Sequence, residues 1–252
     1  MIAREALEAD EVHVWHRVSE TAGVVPPISI NGSVLSLEEC ARRDRFRVPE
    51  DRRDYAHAHD LLRRSLSVYA PTPPVEWRFD AGAYGKPALA DGGLSFNLSH
   101  TRGLVACVIA RSLPVGVDVE RTTRDVELDL LAARFFSAPE TASLSICRTD
   151  ARTRFFDLWT LKEAFIKATG KGLSQPLRSF SFDLDVDDRS IHFAAPDGFD
   201  AAEWQFALYA PLPDARLAVA VHAPRPTMVR WRARQAHAVG VAAIDPIRTS
   251  AA

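Results

Sequence analysis

Two short segments hold most of the residues that could do chemistry. In GVDVE, Gly116 to Glu120, the side chains of an extended strand alternate in direction. Val117 and Val119 therefore point to a core while Asp118 and Glu120 share the other face. Two carboxylates about 7 Å apart at their Cα atoms either converge on one hard cation or form a solvated strand face. Oxygen-only ligation favours Mg2+, with Mn2+ as its close substitute, and no histidine lies nearby in sequence to indicate zinc. In FFDLWTLKEAFIKATGKG, Phe155 to Gly172, helical periodicity places Phe155, Leu158, Trp159, Phe165 and Ile166 on one apolar arc. Glu163 and Lys167 lie side by side at its edge, as an ordinary surface ion pair or as members of a site. Lys162 falls near the middle of the arc, where its ammonium must snorkel or meet a buried phosphate or carboxylate.

The following TGKGLSQPL, Thr169 to Leu177, supplies Gly170 to cap the helix and Gly172 for an unusual backbone conformation. It is not a P-loop, which needs a strand before the glycines and a helix after the lysine. Lys171 either reaches a phosphate or stays solvated. Further basic residues gather in the first half: Arg42, Arg43, Arg45, Arg52, Arg53, Arg63, Arg64 and Lys86, with His100 beside Ser99 at a strand end. A small anionic ligand needs only three or four of them, converging from separate elements. His57 and His59 are no helical metal pair, because residues two apart diverge.

These groups must be positioned by regular elements. EVHVWHRV, Glu11 to Val18, alternates as a strand, and Pro26-Pro27 interrupts the chain after it. Ser36 and Glu39 form a capping box for a helix to about Arg47. Pro49 then suits the first turn of a longer helix through Leu61, Leu62, Leu66 and Tyr69. YGKP (from Tyr84) is a turn; LSFNLSH and GLVACVIA are strands joined at Thr101-Arg102; PVGVDVE is the next. Ser137, Pro139 and Glu140 open another helix ahead of Phe155. SFSFDLDV, SIHFA, WQFALYA and RLAVAVH are strands, ending near His222. The order of strand, helices and strands occurs twice, which predicts an α+β protein of two similar halves, residues 1–114 and 115–224. The tail, residues 225–252, is expected to be peripheral and partly mobile.

Composition narrows the function classes. The 252 residues carry a formal charge of −2 with 25% charged side chains, so neither a global nucleic-acid footprint nor an acidic disordered tail is indicated. Cys40, Cys107 and Cys147 are odd in number and far apart, which argues against a disulfide framework or a cysteine zinc site and for buried thiols. No basic segment precedes an apolar run at the N-terminus, and no run of about 18 uncharged apolar residues occurs. The expected address is the cytoplasm, with no membrane partner.

Taken in order, YGKPAL, FNLSHTRG, GVDVE, FFSAPE and WTLKEAFIKATGKGL resemble the 4′-phosphopantetheinyl transferases of the Sfp type. The resemblance implies a monomer of two pseudo-symmetric α+β halves with coenzyme A in the cleft between them. The phosphopantetheine arm would move to a serine of an apo acyl or peptidyl carrier protein, releasing 3′,5′-ADP. Asp118, Glu120 and Glu163 match the family's magnesium ligands, and Lys167 matches the lysine on the same phosphates. Lys86, Ser99 and His100 match positions lining the nucleotide and its 3′-phosphate, for which Arg42, Arg45 and Arg53 are further candidates. Tyr55 stands where relatives often have arginine. Catalytic roles fall to Asp118, to Glu163 as acceptor of the serine proton, and to Lys167 at the leaving phosphate; all three charges of the helix would then belong to a ligand site. Carriers of this kind are acidic around the modified serine, which suits the basic first half. Two alternatives use the same residues. A Mg2+-dependent phosphodiesterase or nuclease would need a basic stripe or stacking platform, neither of which is evident. A non-catalytic coenzyme A or carrier-binding module would make the carboxylates structural.

Overall fold

The computed structural model describes residues 4–19, 34–82, 85–90, 92–146, 150–184, 189–236 and 241–250. The first half grows from strand β1 (Glu11–Val18), whose alternation sends Val12 and Val14 to one apolar cluster and Trp15 to another. β1 pairs antiparallel with β5 (Leu104–Ala110), which pairs antiparallel with β4 (Ser95–Thr101) across the tight Arg102-Gly103 turn. Helix α1 (Leu37–Asp44) begins at the expected capping box: Ser36 Oγ accepts from the Glu39 amide, and a Glu39 carboxylate oxygen accepts from the Ser36 amide. Helix α2 (Pro49–Tyr69) starts with Pro49 in its first turn, where the missing N–H has no intrahelical partner to lose. Leu61, Leu62 and Leu66 of α2 pack on Trp15, Val105, Cys107 and Ile109. A short hairpin, β2 (Phe79–Ala81) with β3 (Pro87–Leu89), follows α2. Tyr84 of the expected turn, Pro26-Pro27 and Cys147 lie outside the described residues. Cys107 is buried as expected, whereas Cys40 is only half-buried.

The second half is built on β6 (Val115–Arg121), β7 (Ser181–Leu184), β8 (Ser190–Ala194), β9 (Trp204–Tyr209) and β10 (Ala215–His222). Three helices lie between β6 and β7: α3 (Leu128–Phe135), α4 (Ala138–Ile146) and α5 (Ala151–Thr169). The sheet order is β6-β10-β9, then β13 (Arg248–Ser250), then β8-β7. The long helix α5 covers the outer face, with Leu158, Leu161, Ala164, Phe165 and Ala168 in one buried cluster with Phe206, Leu208, Ala218 and Ala220. The inner faces of both sheets share the cluster that receives Val12 and Val14, in which Val12, Leu104 and Val108 meet Val117, Val119, Leu217 and Val219. Four layers result, α2 on the first sheet, the first sheet on the second, and α5 outside. This is the α+β class expected from the order of elements.

Two features of this stack position the functional residues. β4 and β6 are edge strands of different sheets, and side chains join them in place of a ladder: the Val117 amide donates to Asn97 Oδ1 at 2.9 Å and the Val119 amide to Ser99 Oγ at 3.3 Å. The backbone of α5 also lies directly on β6. A Cβ at Gly116 would fall 2.1 Å from the Ala164 carbonyl oxygen and 2.4 Å from the Ala168 nitrogen, so only glycine permits this approach.

The tail departs from its expected peripheral place. β11 (Arg230–Ala236) pairs parallel with β1 from Glu11 to His16, and β12 (Val241–Ile244) adds to it, giving the first sheet the order β12-β11-β1-β5-β4. β13 inserts between β9 and β8 of the second sheet. The arginines of this segment have acidic partners near the N-terminus: Arg230 bonds Asp10 at 2.8 Å, Arg232 bonds Glu11 at 2.8 Å and Arg234 bonds Glu5. Ala233 meanwhile enters the core between the sheets. The pairing is between the two ends of the chain, a distance over which local pattern carries no information.

Candidate active site

The register of β6 settles the direction of its carboxylates. Val115, Val117 and Val119 fill the core between the sheets, which turns Asp118 and Glu120 toward α5, the parity expected from GVDVE. On α5, Glu163 and Lys167 stand on one face, and the helix ends at Gly170, whose φ of 71° is the left-handed cap that glycine adopts without strain.

Lys167 Nζ donates to Asp118 Oδ1 at 2.6 Å and to Ser99 Oγ at 2.9 Å, and Ser99 Oγ donates to the same Asp118 oxygen at 3.0 Å. Ser99 also accepts from the Val119 amide, so its one donor and two acceptor positions are full. Asp118 Oδ2 is buried and has no partner among the described residues. An orphaned carboxylate oxygen is costly unless something else occupies the place beside it. Glu120 differs: Oε2 accepts from Thr101 Oγ1 at 3.1 Å and Oε1 from Arg124 Nη1 at 2.6 Å. Glu163 makes no hydrogen bond or ion pair among the described residues. Burial pushes its carboxyl up to about 7, Asp118 and Glu120 add to the rise, and Lys167 opposes it. Burial also raises Glu120, with Asp118 adding. The carboxylates thus raise the proton affinity of Glu120 and Glu163, with a single lysine among them, an arrangement that calls for positive charge.

Beside Glu120 opens a cleft of about 730 Å³ that draws on both halves: Asp51 and Asp54 of α2, His100 and Thr101 at the end of β4, and Arg121 and Arg124 at and beyond the end of β6. Desolvation at the cleft wall lowers the His100 imidazole from its ordinary value.

The other expected residues are distributed unevenly. Arg53 lies 3.6 Å from Asp54 and so stands beside the cleft. Arg42 and Arg45, at the exposed end of α1, are not among its lining residues. Lys171 sits over the Phe199 ring at 4.4 Å and is not among the residues lining the cleft. Lys86 donates to the Val115 carbonyl at 2.8 Å and the Ala168 carbonyl at 3.3 Å, tying the last turn of α5 to the start of β6; burial lowers it to about 8. Tyr55 is buried, with Phe46 and His59 rings at 5.3 and 4.2 Å.

The expectation that Lys162 serves a ligand is corrected. Its anion is Glu140 of α4, 2.8 Å away, and both side chains are 0% exposed. Lys162 also donates to the Leu177 and Phe180 carbonyls at 2.8 and 2.7 Å. Sequence reading missed Thr101, Arg124, Asp51 and Asp54 as site neighbours. Position alone gave a signal for two of them, since Thr101 ends the strand bearing Ser99 and Arg124 follows GVDVE by four residues.

Among the described residues no three His, Cys, Asp or Glu side chains are gathered closely enough, as they stand, to hold a metal ion. The donor set nonetheless fits a hard divalent cation: Asp118 Oδ2 is orphaned, Glu163 is bare, and every candidate ligand is oxygen.

Residues 114–221 match the family model of the 4′-phosphopantetheinyl transferase superfamily. The chain is 35% identical to the 4′-phosphopantetheinyl transferase HetI of Nostoc sp. over 67% of this chain and 73% of that protein. It is 37% identical to the 4′-phosphopantetheinyl transferase Sfp of Bacillus subtilis over 65% of this chain and 77% of that protein. A further 4′-phosphopantetheinyl transferase of Bacillus subtilis is 35% identical over 72% of this chain and 84% of its own length. The chain therefore belongs to the 4′-phosphopantetheinyl transferase family, as the order of its motifs implies. Among the described residues no helix is long and apolar enough to cross a membrane.

Proposed function

We propose that this chain transfers the 4′-phosphopantetheine arm of coenzyme A to a serine hydroxyl of an apo acyl or peptidyl carrier protein, with Mg2+ or Mn2+ required and 3′,5′-ADP released. The serine oxygen forms a new P–O bond at the phosphorus nearer the pantetheine, and the bond from that phosphorus to the nucleotide phosphate breaks. The observation that carries this reading is the buried, orphaned Asp118 Oδ2, set beside Lys167 and near the bare Glu163.

Asp118, Glu120 and Glu163 would hold the cation, which when bound neutralises the diphosphate and polarises the bond to be broken. Lys167 is oriented by Ser99 and Asp118, so its ammonium is available to the charge that develops on the departing phosphate. Glu163, which has no hydrogen-bond or ion-pair partner among the described residues, is also the candidate acceptor of the serine proton. His100 and Arg53 border the cleft and serve the 3′-phosphate. The carrier approaches the open mouth of the cleft, and the enzyme works as a monomer in the cytoplasm.

The test is mass spectrometry of an apo carrier after incubation with the protein, coenzyme A and Mg2+. The carrier should gain one phosphopantetheine mass, and a chelator should stop the gain. A panel of apo acyl and peptidyl carriers that all stay unmodified would overturn the reading.

A further inference from the structure

Of the three candidate cation ligands, Glu120 is the one with a protein donor on each oxygen, Thr101 on one and Arg124 on the other. Asp118 can meet a cation through Oδ2 without releasing Lys167, and Glu163 has nothing to release. A cation approaching Glu120 competes with the donors already there, and the two donors are unequal: Thr101 is neutral and Arg124 carries the positive charge that a cation would replace. Thr101 is fixed within β4, whereas the Arg124 side chain is 52% exposed on the cleft wall. An ion pair that open to water is weak and exchanges readily.

The backbone under Arg124 is held independently of that pair. Arg152 Nε donates to the Thr122 carbonyl at 2.5 Å and its guanidinium also donates to the Arg124 carbonyl, while the Thr122 amide donates to Asp214 O at 2.8 Å. Exchange is therefore a side-chain movement on an anchored loop. The adjoining Arg121 is committed elsewhere, to Asp214 at 2.7 Å and to the Arg102 carbonyl at 3.2 Å. Arg124 is thus a guanidinium both in direct contact with a candidate ligand and on the wall of the cleft.

We propose that Arg124 is an exchanging counter-ion: it neutralises Glu120 in the arrangement seen here and, when Glu120 turns to a divalent cation, moves to the diphosphate that the cation brings. The fork of an arginine suits two phosphate oxygens. The proposal rests on the function read above and gives it an order of events, since cation and coenzyme A would then favour each other's binding. A small anion is preferred over an acidic carrier surface because Arg124 lies against Glu120 inside the cleft.

Two binding measurements on the whole chain test it without reference to turnover. Free Mn2+ measured by electron paramagnetic resonance, with no coenzyme A present, should show Arg124→Ala binding Mn2+ about fivefold more tightly, the scale of one exposed ion pair. Calorimetry at saturating Mg2+ should show coenzyme A binding about tenfold more weakly to the same variant, the scale of one charge-assisted contact. Opposite shifts in the two affinities support the exchange. Unchanged or weaker Mn2+ binding, or unchanged coenzyme A binding, overturns it. Coenzyme A affinity that holds while the KM for the carrier rises also overturns it, assigning the arginine to the protein partner. Glu163→Gln separates the two levels: if it leaves Mn2+ affinity intact, the cation site itself is misplaced. If it weakens Mn2+ while Arg124→Ala does not strengthen it, only the role of Arg124 falls.

Discussion

Two lysines five residues apart on α5 meet carboxylates in opposite ways. Lys162 and Glu140 are wholly buried; the three protons of the ammonium have three acceptors, and Glu140 also accepts from the Ser137 and Phe182 amides. Lys167 and Asp118 are 28% and 8% exposed, one Asp118 oxygen has no partner, and the neighbouring Glu163 is bare. The first pair leaves no capacity for a ligand, so it belongs to the scaffold. The second leaves capacity on Asp118 and on the neighbouring Glu163, so it belongs to a site. The difference lies in how completely each charge is satisfied, which residue type alone does not reveal.

The sharpest way to break this contrast is Lys162→Ala, which strands Glu140 as an unpaired buried charge. It should cost about 3–5 kcal/mol of stability, read from chemical denaturation. Lys167→Ala should destabilise far less and show its loss in turnover, with kcat falling more than coenzyme A affinity. Equal destabilisation by both changes would erase the distinction.

A second saturated carboxylate extends the comparison to α1. Burial pushes Glu39 up, but hydrogen bonds from His59, Arg63 and the Ser36 amide outweigh it and bring the carboxyl from 4.5 down to about 2. Because the folded value is depressed, the stabilisation is full above pH 4.5 and is lost as pH falls toward 2. It amounts to about 3 kcal/mol. Glu39→Gln should reduce the acid dependence of unfolding in that window, the remainder coming from other depressed carboxylates such as Glu5 and Glu11; an unchanged slope would show that the network is not linked to protonation.

Glu163→Gln probes the unsaturated side. Transfer should fall about 100-fold, close to 3 kcal/mol in the barrier. Stability should be retained or rise, because a neutral amide replaces a carboxylate crowded by Asp118 and Glu120. A large loss of stability would place Glu163 with Glu140 among the scaffold groups.

The smallest expected effect concerns the contact that brings β6 and α5 together. Gly116→Ala forces α5 away from β6 and should cost about 1–3 kcal/mol, with a parallel loss of transfer as Glu163 and Lys167 move relative to Asp118. Loss of stability with full activity would mean that the helix shifts without disturbing the site.

Much of the site was legible before any coordinates. Strand alternation assigned Asp118 and Glu120 to one face because Val117 and Val119 had to be buried, and helical periodicity put Glu163 beside Lys167. The capping box at Ser36, Pro49 at the head of α2 and Gly170 at the end of α5 are local devices whose partners lie within a few residues. Three things were not legible. The place of Lys162 was visible, but its partner Glu140 is 22 positions away on another helix. The tail looked like surface because its arginines answer acids near residue 10, across the whole chain. Arg124 carried only a positional signal, four residues after GVDVE, since its importance comes from the loop that sets it against Glu120.

By itself, then, the order of residues determined the period of each element, the direction of each strand's side chains and the inventory of chemical groups, all of which follow from backbone geometry over short spans. Only the tertiary structure decided which charges are satisfied. Hydrogen-bond completeness depends on groups that approach from distant segments, and it is that completeness which separates the buried pair under α5 from the open carboxylates at its edge.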